Sequence, residues 1–147
     1  MAELMIRHVI DIEAPVAATW QVLTDNDYIQ QYMFGCVAES DWRPGSPLLW
    51  RGVLDGTLYV KGDVVSIDPP HRLEYTVFDP NSTMPDVPAN YLTMTYAVTE
   101  RGEGASTLEI TQGDFATVEN GQKRYEDSLG SSGLMAEIKR LAEARAG

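Results

Sequence analysis

Residues 57–79 read TLYVKGDVVSIDPPHRLEYTVFD, and the fold turns on this stretch. Leu58, Val60, Gly62 and Val64 share one parity over Thr57–Ile67, the period-two pattern of a strand with one face toward a core. Asp68-Pro69-Pro70-His71 has the composition of a turn. Beyond it, Leu73, Tyr75 and Val77 alternate with Glu74 and Thr76 across Arg72–Asp79. Two alternating strands around a short turn predict an antiparallel pair with one apolar and one solvated face.

The same texture extends both ways. Downstream, Pro80 to Asn90 is polar, proline-rich and without period, and reads as a long loop of the length used for functional loops or mobile rims. Leu92, Met94, Tyr96 and Val98 alternate with threonines in Tyr91–Glu100. After the turn Arg101–Gly104, Leu108 and Ile110 alternate with Glu109 and Thr111 in Ser106–Phe115, completing a hairpin. Upstream, Leu48–Val53 is a strand, with Asp55-Gly56 as a tight-turn signal. Arg43–Pro47 is another turn, and Val37–Trp42 a short strand.

Helices bracket this run. Met5–Glu13 is a first strand, with His8, Ile10 and Ile12 on one parity. Pro15 is pre-set for a helix start, and Val16, Trp20 and Leu23 make one apolar helical face. Asp25 can cap a second short helix with Tyr28, Ile29 and Tyr32 inward, which Gly35 ends. Glu119–Ala146 is read as one long C-terminal helix. Leu134, Ile138 and Leu141 form its apolar stripe, and Gly130, Ser131, Ser132 and Gly133 weaken its first half. The order predicts an α+β fold: two short helices after strand one, then a curved antiparallel sheet of six to seven strands wrapped around the terminal helix.

A chain of 147 residues is the size of one domain, 1–147. Its net charge of −11, with no basic run longer than Lys123-Arg124, argues against nucleic acid as a partner. The lone Cys36 excludes an internal disulfide or a cysteine cage, and no histidine pair has metal-ligand spacing, so no metal or other cofactor is expected. No stretch resembles a secretory signal or a membrane span, and a cytoplasmic setting is expected.

Several runs together resemble one known group: Ile12-Glu13-Ala14-Pro15-Val16 with Trp20, Leu23 and Thr24; Trp42 to Pro47 with Trp50 and Gly52; Gly62 to Pro70; and Arg72 to Thr76. Thr107-Leu108 with Gly113 and Phe115, and Ile138-Lys139 with Leu141 and Glu143, continue the match. The sequence is similar to the START-like helix-grip (SRPBCC) superfamily, and within it to homologues of the activator of the heat-shock-protein-90 ATPase. The resemblance implies the helix-grip fold over nearly the whole chain. It leaves function open between ligand binding, cyclase- or hydrolase-like catalysis and a co-chaperone-like role in the stress response, and it implies a monomer or weak homodimer. One departure stands out: Ser131 occupies a position where such homologues carry a tryptophan, which would open space under the helix unless Tyr125, Leu129 or Leu134 fills it.

Few residues carry chemistry. His71, in the Pro-Pro turn, reads as solvated, His8 as partly buried and satisfied, and Cys36 as a small buried apolar residue. No Gly-x-Ser-x-Gly elbow or phosphate loop is present. What remains is the apolar face. Trp50, Leu58, Val60, Leu73, Tyr75, Met94, Tyr96 and Ile110 share inward parity, Leu134, Met135 and Ile138 would oppose them from the helix, and Gln112 would supply a polar anchor. Arg51 and Arg72 alternate outward. Such a lining fits a small hydrophobic or aromatic ligand held by one or two hydrogen bonds. The plainer reading is that these side chains fill the core. The enzymatic alternative would use Tyr75, Tyr96 or His8 as general acid or base; a third alternative is a surface that binds a protein partner such as a chaperone.

Overall fold

The computed structural model describes residues 5–33, 35–81, 83–113, 115–118, 121–128 and 133–146, with backbone only at 117, 124, 126–128, 133, 134 and 146. Seven antiparallel strands form one open sheet in the order β1-β7-β6-β5-β4-β3-β2. They are β1 Ile6–Ile12, β2 Cys36–Glu39, β3 Pro47–Gly52, β4 Leu58–Asp68, β5 Arg72–Val77, β6 Leu92–Glu100 and β7 Ser106–Gly113. Helices α1 Val16–Thr24 and α2 Asn26–Tyr32 follow β1, and α3 Gly121–Ser128 and α4 Gly133–Ala146 follow β7. No helix of the described residues is long and apolar enough to cross a membrane.

The expected strands and short helices form. Pro15 sits just ahead of α1 rather than inside it, and its carbonyl accepts from Ala18 and Thr19 at 3.0 and 3.1 Å. Asp25 caps α2 through the Asp27 N–H. Two details differ. The second strand ends at Glu39, and Trp42 beyond it takes a left-handed φ of 56°. The expected single C-terminal helix is described as two, α3 and α4; Gly130, Ser131 and Ser132, with their low helix propensity, fall between them and lie outside the described residues.

Two bulges shape the sheet. One lies between Trp50 and Arg51 on β3, the other between Val64 and Ser66 on β4, where bulges bend and twist strands. The first slips the register so that Leu58 stands opposite Arg51 instead of on the Trp50 face. Gly62 is fixed by close approach, since a Cβ there would lie 1.7 Å from the Thr76 carbonyl oxygen. Both sheet edges are closed by helix side chains. On β2 the Asn26 amide donates to the Ala38 carbonyl at 2.9 Å and accepts from the Ala38 N–H at 2.8 Å. On β1 Lys139 donates to the Asp11 carbonyl at 2.9 Å, and Glu143 accepts from the Glu13 N–H at 2.9 Å. Such covering blunts an edge against strand addition.

One main core lies between the sheet's inner face and helices α1, α2 and α4, with Val22, Leu23, Ile29, Leu108 and Ile138 fully buried. Thr19 and Ser106 tie α1 to β7 inside it. Ser106 donates to the Ala14 carbonyl at 2.8 Å, so Thr19 donates to Ser106 at 2.9 Å and no proton is stranded.

Candidate functional site

Register fixes which side chains meet beneath α4. One cross-strand row runs His8–Ile110–Tyr96–Leu73, and the next runs Ile6–Gln112–Met94–Tyr75–Val64. Directly opposed residues share a face, so both rows look inward. Trp50 and Val60 oppose each other at the far end.

Burial divides this face. Trp50, Leu73, Tyr75, Tyr96, Ile110 and Ile138 belong to the main buried cluster. Val60 and Met94 pack against it while half-buried, as do Ile10 and Val77. Gln112 and His8 face inward and are also only half-buried. The side chain of Leu134 lies outside the described residues; Met135, one position on, is buried in the cluster. The half-buried inward residues are neighbours: Gln112 opposes Met94, His8 stands diagonal to Gln112, and Val77 follows Tyr75 on the same face. They form a patch that water reaches although it faces the interior.

Aromatic rings floor the buried part. Tyr75 contacts Trp50 at a centroid distance of 5.9 Å and meets Tyr96 edge-on at 5.4 Å, in the range of favourable aromatic pairs. The Tyr75 and Tyr96 hydroxyls lie 2.6 Å apart. Tyr32, which sequence reasoning assigned only to the core, belongs to the same group, its hydroxyl donating to the Leu23 carbonyl at 3.2 Å. Burial pushes the phenols of Tyr75 and Tyr32 well above the ordinary tyrosine value, and it pushes Tyr96 up to about 12, with the Tyr75 hydrogen bond working the other way. All three are therefore protonated at neutral pH.

His8 departs from expectation. It was expected to be satisfied, yet its Nε2 is buried with no hydrogen-bond partner among the described residues. The strand's alternation placed the ring inward, but a lone strand cannot show what stands opposite it. His71 is exposed in its turn with Nδ1 3.0 Å from the Val98 carbonyl, and burial raises the Cys36 thiol above its usual range. Among the described residues no group of three His, Cys, Asp or Glu side chains could hold a metal ion. The buried polar side chains of the described chain are Thr19, Asn90 and Ser106, none of them charged.

The 80–90 segment, expected as a long functional loop, is fastened to the sheet. Lys61 pairs with Asp86, Tyr91 donates to Asp86 at 2.6 Å, and the Asn81 amide donates to the Leu58 carbonyl at 3.0 Å. Tyr91 stacks on Phe78 at 4.9 Å, and Asn90 is buried at the end of a short 3-10 turn over Pro88–Asn90.

Residues 13–144 match the family described as Activator of Hsp90 ATPase homolog 1-like protein. The chain belongs to that family. Among solved structures, a solution structure of a protein from Cytophaga hutchinsonii shares 31% identity over 99% of this chain and 98% of its own, with a TM-score of 0.75. CalU16 from Micromonospora echinospora matches with a TM-score of 0.71 at 18% identity, over 97% of this chain and 67% of its own. An HSP90 activator from Plasmodium falciparum matches with a TM-score of 0.63 at 15% identity, over 86% of this chain and 87% of its own. At such identities the last two show the shared helix-grip fold alone. No curated protein matches the chain. Family membership accounts for the open sheet and the C-terminal helix, and it leaves the activity to be argued from the face beneath α4.

Proposed function

We propose that this member of the Activator of Hsp90 ATPase homolog 1-like family binds a small apolar or aromatic molecule, without covalent chemistry, on the inner face of its sheet beneath α4. The reading takes the whole chain as one domain working in the cytoplasm. The observation that carries it is the half-buried inward patch of His8, Gln112, Met94, Val77 and Val60 beside a fully buried aromatic floor. Inward-facing side chains of a filled core lose their contact with water. An apolar face with a few convergent polar groups is the usual composition of a ligand site.

Within the enzymatic alternative, the two phenols are poor candidates for a general base. Tyr75 and Tyr96 hold their protons at neutral pH, so neither supplies a base. At a value of about 12, deprotonating Tyr96 at pH 7 would cost on the order of 7 kcal/mol. A chaperone partner is suggested by the family description and by the printed name of the Plasmodium falciparum neighbour.

Native mass spectrometry of protein purified without added compounds tests the reading. A reproducible extra mass, lost on unfolding, is the expected result. A bare mass, together with failure to bind any of the aromatic probes named below, would overturn it.

A further inference from the structure

Two buried hydroxyl pairs occupy the core, and they end differently. In the first, Thr19 donates to Ser106 and Ser106 donates to the Ala14 carbonyl, so both protons are used. In the second, Tyr75 and Tyr96 share one hydrogen bond at 2.6 Å, and both residues are almost wholly buried. Two hydroxyls carry two protons, and one mutual bond uses one of them. Whichever phenol donates, the other O–H has no acceptor among the described residues. A buried donor left in this state costs about 1–3 kcal/mol.

Further uncommitted polar groups line the same two rows. His8 Nε2 is buried and the Gln112 carboxamide faces inward, neither with a hydrogen bond to any described residue. The two rows hold no carboxylate, ammonium or guanidinium among the described residues; Glu100, opposite Ser106, is exposed at the far end of β6. The arginines and lysines that form ion pairs do so on the outer surface and the helix rims, as in Arg7–Glu109, Arg51–Glu39 and Arg140–Glu137. An ionised ligand group on these rows would therefore meet no partner of opposite charge among the described residues, at a penalty of several kcal/mol.

Resting on the ligand-binding reading, we infer that the site selects uncharged aromatic or alicyclic molecules bearing a hydrogen-bond acceptor oxygen, a ketone or comparable carbonyl, which takes the spare proton of the Tyr75–Tyr96 pair. The apolar body of the ligand lies along Met94, Val77 and Val60. Gln112 and His8 meet any second polar group. A carbonyl at the phenol pair supplies what the Ala14 carbonyl supplies to the Thr19–Ser106 pair.

Three probes of one shape test this: 2-acetylnaphthalene, 2-ethylnaphthalene and 2-naphthoate, titrated against the whole protein by quenching of tryptophan fluorescence. The ketone is expected to bind about tenfold more tightly than the ethyl compound, the worth of one net hydrogen bond, and the carboxylate more weakly than either. The variant Tyr75→Phe/Tyr96→Phe removes both hydroxyls together, leaving no stranded group. It should bring the ketone down to the ethyl compound while leaving the ethyl compound unchanged. Asn26→Ala, at the β2 edge and outside the patch, should leave the ketone preference in place. Equal binding of ketone and ethyl compound, or tightest binding of the carboxylate, would overturn this inference and leave the ligand-binding reading standing. Failure of all three probes to bind would count against both.

Discussion

One face of one sheet behaves in two ways. Around Trp50, Tyr75, Tyr96 and Ile110 the inner side chains lie at or below 3% exposure, held between α1, α2, α4 and the strands. Two residues along the same strands, Gln112, Met94 and Val77 keep contact with water, as does His8 across from Ile110 on β1. The strands, the parity and the chemistry are alike; what changes is the cover. The difference teaches that inward parity assigns a residue to a face, while burial depends on what stands across from it.

The sharpest way to break this comparison is a pair of truncations. Trp50→Ala empties a fully buried site between two bent strands and is expected to cost about 3–5 kcal/mol. Met94→Ala, on the open patch, is expected to cost about 1 kcal/mol or less, because the lost contacts are partly to water already. Chemical denaturation of both variants checks this. Equal losses would mean that the patch is as tightly packed as the floor, and the two-part description would fall. Met94→Ala should in addition change the affinity of 2-ethylnaphthalene, which the edge variants discussed below should not.

The phenol pair sharpens the comparison at its boundary. Tyr75→Phe breaks the mutual hydrogen bond and is expected to cost about 1–2 kcal/mol. Tyr96→Phe should cost a similar amount. The double variant should cost less than the sum, because each single change already removes the one shared bond. Additive losses in the cycle would show that the 2.6 Å contact contributes little and that each hydroxyl has its own partner.

How much of this was legible beforehand follows physical lines. The alternation in Arg72–Val77 and Leu92–Glu100 announced the central strands because each residue's environment repeats every second position. The inward parity of Tyr75, Tyr96 and Met94 came with it. Leu58 was misplaced because a bulge between Trp50 and Arg51 shifts the register, and a bulge leaves no periodic trace. That the Nε2 of His8 has no partner among the described residues was not legible, since satisfaction depends on residues far away in the chain. The pinned 80–90 segment was missed for a similar reason: the pairing of Asp86 with Lys61 joins residues twenty-five positions apart and has no sequence signature.

The two sheet edges offer the smallest and most selective test. The β2 edge is closed by a neutral amide, Asn26, and the β1 edge by an ionised pair, Lys139 and Glu143. The Lys139 ammonium, and then the Glu13 N–H, hold the Glu143 carboxyl below its usual value. A group whose folded value is depressed stabilises the protein above its unfolded value of about 4.3, and that contribution disappears as the pH falls through the folded value. Glu143→Gln is therefore expected to cost about 0.5–1 kcal/mol at pH 7, with the difference from the unaltered chain shrinking below about pH 4. Asn26→Ala removes a cap that does not titrate, so its cost should be the same at both pH values. Urea denaturation at pH 7 and pH 3.5 separates the two. A pH-independent cost for Glu143→Gln would show that its carboxylate acts at the β1 edge by shape rather than by charge. A cost that grew as the pH fell would reverse the sign of the linkage and remove Lys139 as the cause of the depressed value.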